Sequence, residues 1–362
     1  MRIGILGTRG IPNAYGGFEQ FAQYLALGLH RRGHDLYVYN SSDHPYREAE
    51  WNGVHIVHCR NWEHKIGTAG QFLYDLNCFR DARRRNFDIL LQLGYTSSSV
   101  WHRFWPGNAI NVINMDGLEW KRSKYNRLTR KFLRRAEGLA VRHGDILVAD
   151  SIGIKDYIQA EYGRSSVYIP YGAEIPEKFD AEIPARYGLE CGGYSLLMAR
   201  MEPENNIEMI IRGWLASDKT RPLVLVGNTG NSFGQYLVRT YQHKQLHFTG
   251  AIYEPEVIHA LRHFSALYLH GHSVGGTNPS LLEAMACGCV IAAHDNPFNR
   301  AILGDQAYYF SSAKQVCDAL ERNSAVEEKL AWQEKNREKI KNIYNWDKIV
   351  GDYENVFRSQ AR

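Results

Sequence analysis

The chain lacks the features that mark several common protein classes. No apolar run approaches the roughly 18 residues of a membrane span. The stretch Ile3–Leu6 after Arg2 is stopped by Gly7, too brief for a secretion-signal core, so export is not expected. Cysteine is scarce: Cys59, Cys78, Cys191, Cys287, Cys289 and Cys317 include no Cys-x-x-Cys pair and lack disulfide density, which suits a reducing compartment. Cys287 and Cys289 flank Gly288 beside an apolar run and read as buried thiols. A charge excess is also missing: 43 Lys and Arg face 39 Asp and Glu, for a net +4, too mild to imply a nucleic-acid partner. No internal repeat or low-complexity tract stands out, and the charged stretch Glu327–Lys341 reads as solvated helix faces.

What remains is an ordinary globular composition, 44% hydrophobic and 23% charged over 362 residues. That length suits roughly two domains of about 150 residues. The first forty residues run strand, loop, helix, strand. Ile3–Leu6 is a buried-strand run and the glycine-dense GTRGIPNAYGG follows. Phe18, Phe21, Leu25 and Leu29 recur at helical spacing, Gly33 stops the helix, and Leu36–Tyr39 is a second strand. Further strand-like runs at Val54–Val57, Ile89–Leu91, Ala109–Ile113 and Ile146–Val148 extend this opening into one doubly wound sheet over residues 1–170. Residues 171–193, with Pro176, Pro184 and Gly192-Gly193, read as a linker. A second series over 194–340 places strands at Tyr194–Ala199, Leu223–Val226, His247–Phe248, Ala266–Leu269 and Val290–Ala293. Residues 341–362 are expected to form a helix returning toward the first domain. The pattern predicts an α/β fold of two Rossmann-like doubly wound domains facing each other across a cleft, where ligands of such sheets bind.

Three elements carry chemistry. In the opening loop the glycines do not fall in the G-x-G-x-x-G spacing of a dinucleotide site. Gly16 and Gly17 precede a helix start, so their backbone N–H groups can meet an anion or a sugar. Equally, they can serve as a turn, with Glu19 steadying the helix N-terminus. In TNPSLLEAMACG, Asn278 is a good N-cap, Pro279 suits the first helical position and Gly288 the end. Glu283, one turn in, points back toward the helix start, where it can accept hydrogen bonds from sugar hydroxyls. The first N–H groups, around Ser280 and Leu281, face a phosphate, and the small residues of HGHSVGG, including Gly276, and Thr277 let a ligand approach. In ARMEPENN, Arg200 at a strand end is placed for bidentate phosphate pairing. Read alone, each element can be structural. Together they describe a nucleotide-sugar site.

The pattern of Arg200 in a strand-end loop followed by the Glu283 helix resembles the family 4 retaining glycosyltransferases of the GT-B fold. The strings GTRGIPNAYGGFEQFAQYL, NMDGLEWKRSKY, EPENNIEMI and GHSVGGTNPSLLEAM are similar to a bacterial subgroup with β-rhamnosyltransferases of cell-wall and capsular polysaccharide synthesis. Two departures stand out: Asn205 occupies the place of a clamp lysine, and Gly275 that of a sugar-contacting glutamate. The resemblance implies retaining transfer without a metal or other cofactor. Arg200, Glu283 and Asp116 form the expected catalytic set. Arg200, Asn205, Gly16, Gly17, Tyr253 and the 276–281 and 283 positions are expected around the donor, a dTDP- or UDP-linked sugar. Glu19, Asp116, Glu119 and Trp120 are expected around a lipid-diphosphate-linked or glycan acceptor; Asp116-Gly117 also reads as a plain turn. A sugar-nucleotide epimerase and a non-catalytic sugar-nucleotide-binding subunit are the competing readings.

Residues 119–143 hold nine Lys or Arg against Glu119 and Glu137. Leu128, Phe132 and Leu139 recur beside this cationic face. Such a helix suits an anionic membrane surface or a lipid diphosphate, and otherwise reads as a solvated charged face. Arg127, Arg130, Lys131, Arg134 and Arg135 are its expected membrane-facing groups, which predicts a cytoplasmic protein peripheral to the inner membrane face. The halves differ accordingly: residues 1–170 carry 23 basic and 16 acidic groups, the remainder 20 and 23.

Overall fold

The computed structural model describes residues 1–14, 16–115, 117–122, 125–218, 221–322 and 325–360. Asp116 and Lys124, both part of the sequence reading, lie outside them. Two compact units emerge: Met1–Lys121 with Tyr125–Tyr171 and Trp346–Arg362, and Gly172–Asn345 with Arg122–Lys124.

The first unit is built on eight strands: β1 (Arg2–Leu6), β2 (Asp35–Ser41), β3 (Glu50–Trp51), β4 (Val54–Cys59), β5 (Ile89–Leu93), β6 (Ile110–Asn114), β7 (Ile146–Ala149) and β8 (Val167–Tyr168). Their order is β3-β4-β2-β1-β5-β6-β7-β8, parallel except for the β3–β4 pair. Strands β1 and β5 are entirely or almost entirely buried apolar runs, as parallel strands covered on both faces must be. The order reverses between β1 and β5, so the glycine loop after β1 opens at the switch point. The terminal helix Trp346–Gln360 belongs to this unit. Trp346 stacks on Tyr24 at 4.6 Å, Arg32 pairs with Asp347 and Glu354, and Tyr353 receives a hydrogen bond from Asn114.

The second unit holds six parallel strands: β9 (Ser195–Met198), β10 (Leu223–Val226), β11 (Leu246–Gly250), β12 (Leu267–His270), β13 (Ile291–His294) and β14 (Tyr308–Phe310), ordered β11-β10-β9-β12-β13-β14. Here the order reverses between β9 and β12. Its core gathers Leu197, Ile210, Trp214, Leu225, Leu269 and Phe310. The stretch read as a linker begins this unit and contains a short helix, Ile183–Arg186. The short edge strands β3, β8 and β14 escape sequence reading because two or three residues show no period.

Candidate functional site

In the second unit, the loops after β9 and β12 leave neighbouring strands at the switch point and are stitched together. Asn206 Nδ2 donates to the Gly271 carbonyl at 2.8 Å. Ser273 donates its hydroxyl at 2.8 Å and its N–H at 3.2 Å to the Glu204 carbonyl. A side chain at Gly271 would overlap the Asn205 carbonyl, so glycine is needed for the two loops to approach. Arg200 is exposed on the first loop. Asn205 has a different place from the one expected of a donor contact. It is buried, and its amide donates to the Arg200 carbonyl at 2.7 Å, bracing the loop that carries the arginine. Gly275 sits at φ +125°, a conformation that side-chain-bearing residues rarely adopt. The loop backbone is thus shaped for glycine, not for a glutamate.

The helix after this loop is Pro279–Ala286. Asn278 caps it by accepting the Ser280 N–H at 3.0 Å. Ser280 Oγ lies 2.6 Å from the Tyr268 hydroxyl, Leu281 is buried, Thr277 is buried, and Gly276 is half-buried. Glu283 pairs through Oε2 with Arg262 Nη2 at 2.6 Å and keeps 23% of its side chain exposed. Arg262 is only 3% exposed, and its Nη2 also reaches Ser280 Oγ at 3.3 Å. Burial is the largest single influence and disfavours its charge, but Glu283 first, with Tyr268, Cys287 and Cys289 behind it, together raise its pKa and hold the guanidinium protonated. Sequence reasoning missed this residue. The signal was there: Arg262 falls at helical spacing with Ile258 and Leu261, an arginine on an otherwise apolar stripe.

His272, in the loop after β12, has its pKa pushed down to about 3 by burial and then by Arg200 and Arg122. The imidazole is therefore neutral at physiological pH, an acceptor or donor rather than a cation. Tyr253 is exposed in the loop between β11 and the helix Pro255–His263.

In the first unit, the glycine loop leads into the helix Gly17–Arg31, with Gly16 at its N-cap. Glu19 was expected near the acceptor. It is buried instead, and Oε1 accepts the Arg9 N–H at 2.9 Å, so the carboxylate holds the loop. Arg9 in turn pairs with Glu63 at 2.7 Å.

The loop after β6 is held by Glu137, from the basic helix Arg127–His143. Glu137 is 1% exposed. Tyr157 and Tyr162 donate to its Oε1, each at 2.7 Å, and Trp120 Nε1 donates to its Oε2 at 3.2 Å. The Tyr95 hydroxyl lies 3.1 Å from both Oε2 and the Gly117 carbonyl. Burial first, and the carboxylate second, keep Tyr95, Tyr157 and Tyr162 protonated well above the usual phenol range. Trp120, expected at the acceptor, thus spends its indole N–H on Glu137; Glu119 stays half-buried in the adjoining turn. Arg127, Arg130, Lys131, Arg134 and Arg135 are exposed, and Arg134 pairs with Glu161.

Residues 183–346 match the family of Glycosyl transferases group 1, and residues 1–174 match a Domain of unknown function (DUF1972). Among solved structures, sucrose-phosphate synthase (tll1590) from Thermosynechococcus elongatus superposes with a TM-score of 0.82 at 15% identity, covering 99% of this chain and 98% of that one. Alr3699/HepE from Anabaena, solved with UDP and glucose, gives 0.76 at 16% identity over 99% and 100%. An α,α-trehalose-phosphate synthase (UDP-forming) from Burkholderia vietnamiensis gives 0.72 at 15% over 99% and 100%. No curated protein matches the sequence. At these identities the likeness establishes the fold, GT-B.

Proposed function

We propose that this chain, whose residues 183–346 match the group 1 glycosyltransferases and whose residues 1–174 match the DUF1972 domain, is a retaining rhamnosyltransferase working at a membrane surface. That it moves a sugar from a nucleotide-sugar donor follows from the family. In the proposed reading the donor is dTDP-β-L-rhamnose and the acceptor a lipid-diphosphate-linked sugar or glycan of a bacterial cell-surface polysaccharide. A uridine diphosphate sugar, the donor class in a HepE complex, is the alternative.

The observation that carries the donor site is the meeting of the Arg200 loop, the 271–278 loop and the Pro279–Ala286 N-terminus at one switch point. In the proposed chemistry the acceptor hydroxyl oxygen bonds to the anomeric carbon on the face that the diphosphate leaves. The carbon–diphosphate bond breaks through an oxocarbenium-like state, and a diphosphate oxygen takes the hydroxyl proton. Arg200 and the N–H groups at 279–281 would stabilise the leaving charge, and Glu283 would hold the ribose. Gly275 in place of a carboxylate supports a less acidic sugar pocket, in keeping with a 6-deoxy sugar that has one hydroxyl fewer. The cationic, exposed face of Arg127–His143 supports the membrane-surface placement. No helix among the described residues is long and apolar enough to cross a membrane.

A thermal-shift screen of nucleoside diphosphates and their sugars, followed by transfer assays on the ligands that stabilise the protein, tests the reading. Preference for dTDP-rhamnose is expected. Preference for UDP-glucose overturns the rhamnose assignment, and tight binding with no hydrolysis or transfer for any donor favours a binding subunit.

A further inference from the structure

We propose that a cationic pocket at the carboxyl end of the Arg127–His143 helix binds the phosphate of an anionic lipid headgroup. The pocket is a cavity of about 580 Å³ in the first unit, lined by Arg135, Arg142 and Arg164 together with Gly138, Leu139, Val141 and Tyr162. It extends the membrane-surface reading above and rests on it only for the source of the phosphate.

The charges in this pocket are not neutralised by the protein. The side chains of Arg135 and Arg142 make no hydrogen bond or ion pair among the described residues. Arg164 donates only to the Gly144 carbonyl, at 3.0 Å. The lining contains no carboxylate. The acid next to it in sequence, Glu161, is held by Arg134, and the hydroxyl of the lining Tyr162 is spent on Glu137. Three guanidinium groups around one basin repel one another, and a phosphate bridging them converts that repulsion into charge-assisted, bidentate hydrogen bonds.

The lipid source follows from what shares the helix face. Leu128, Phe132, Arg135, Leu139 and Arg142 recur at alternating spacings of four and three, so they form one stripe along the helix. At its far end Leu128 is 81% exposed and Phe132 is also exposed. A free phosphate has no use for these apolar groups. A phospholipid surface takes them into its interface while its headgroups reach the arginines.

The test compares vesicles of phosphatidylcholine containing either phosphatidic acid, whose phosphate is terminal, or phosphatidylserine adjusted to equal surface charge. Wild-type protein is expected to bind the phosphatidic acid vesicles several-fold more tightly by co-sedimentation. Arg135→Ser with Arg142→Ser should erase that preference. Arg127→Ser with Lys131→Ser, which removes the same charge from the same helix outside the pocket, should weaken binding to both vesicles and leave the preference intact. All four positions are exposed, so unchanged thermal midpoints should accompany both pairs. Equal behaviour of the two pairs on vesicles that the wild type binds, or wild-type vesicle binding without preference, overturns the site. Binding of inorganic phosphate that Arg135→Ser with Arg142→Ser abolishes, without vesicle binding by the wild type, overturns the lipid source. None of these readouts depends on sugar transfer, so they fail or succeed separately from the enzymatic reading.

Discussion

Glu137 in the first unit and Glu283 in the second are both well-partnered carboxyl groups, but their partners differ in kind. Glu137 is closed in by three tyrosines and a tryptophan, all uncharged donors, and is essentially removed from solvent. Glu283 pairs with the buried Arg262 guanidinium, a charged donor, and keeps about a quarter of its side chain in water. A carboxylate offers about four acceptor sites. Glu137 has filled them from within and braces the loop that carries Trp120. Glu283, oriented by Arg262, is half-buried at the switch point with part of its side chain open to solvent. The contrast separates a carboxyl group that builds a site from one that can take part in it.

The sharpest way to break that contrast is Glu283→Gln. It leaves the Arg262 cation buried without a counter-charge and should cost about 3–5 kcal/mol of stability in denaturant unfolding. The pair Arg262→Met with Glu283→Leu should recover most of that loss. An unchanged unfolding midpoint for Glu283→Gln would mean that the ion pair is not what satisfies the arginine. Next in size, Arg200→Ala is expected to lower turnover by roughly 10²–10³-fold with the fold intact. Arg212→Ala, whose guanidinium pairs with Glu208 on an exposed helix face, should change it little. Equal small losses from both would remove Arg200 from the diphosphate clamp.

Glu137→Gln turns an acceptor-only group into one that points an NH2 at two of its donors. A loss of about 1–3 kcal/mol is expected, with faster amide exchange around residues 117–121; a neutral outcome would make the cage dispensable. The smallest effect concerns Glu354, which ties the terminal helix to the first unit. Hydrogen bonds from Arg358, His34 and Arg32 lower its pKa from 4.5 to about 2. A depressed carboxyl pKa stabilises the fold fully above its unfolded value and loses that contribution as pH falls toward 2. Thermal midpoints measured between pH 5 and about 2 should therefore fall less steeply in Glu354→Gln than in the wild type.

Much of the fold is legible in the residues. The buried runs of β1, β5, β9, β10, β12 and β13, the N-cap at Asn278 and the helix stop at Gly33 all follow from local pattern. Part of the candidate site is legible as well, because Arg200 and Glu283 sit where strand-end loops and a helix start must place them. The roles of Asn205 and Glu19 were not, since whether an amide or a carboxylate faces a ligand or a backbone group depends on loop closure. The partners of Glu137 come from four separate segments, and no spacing along the chain announces them. Arg262 was visible only as an irregularity in an apolar stripe.

Sequence alone determined two parallel-sheet units, six cysteines with no Cys-x-x-Cys pair and the concentration of positive charge in the first half, because these depend on local period and composition. Tertiary structure decided which charges are spent and which are left. It matched Arg262 to Glu283, enclosed Glu137 in hydroxyls and left Arg135, Arg142 and Arg164 without an acid. That outcome depends on which side chains the packed elements bring within about 3 Å of one another, a property of the folded arrangement and not of any single segment.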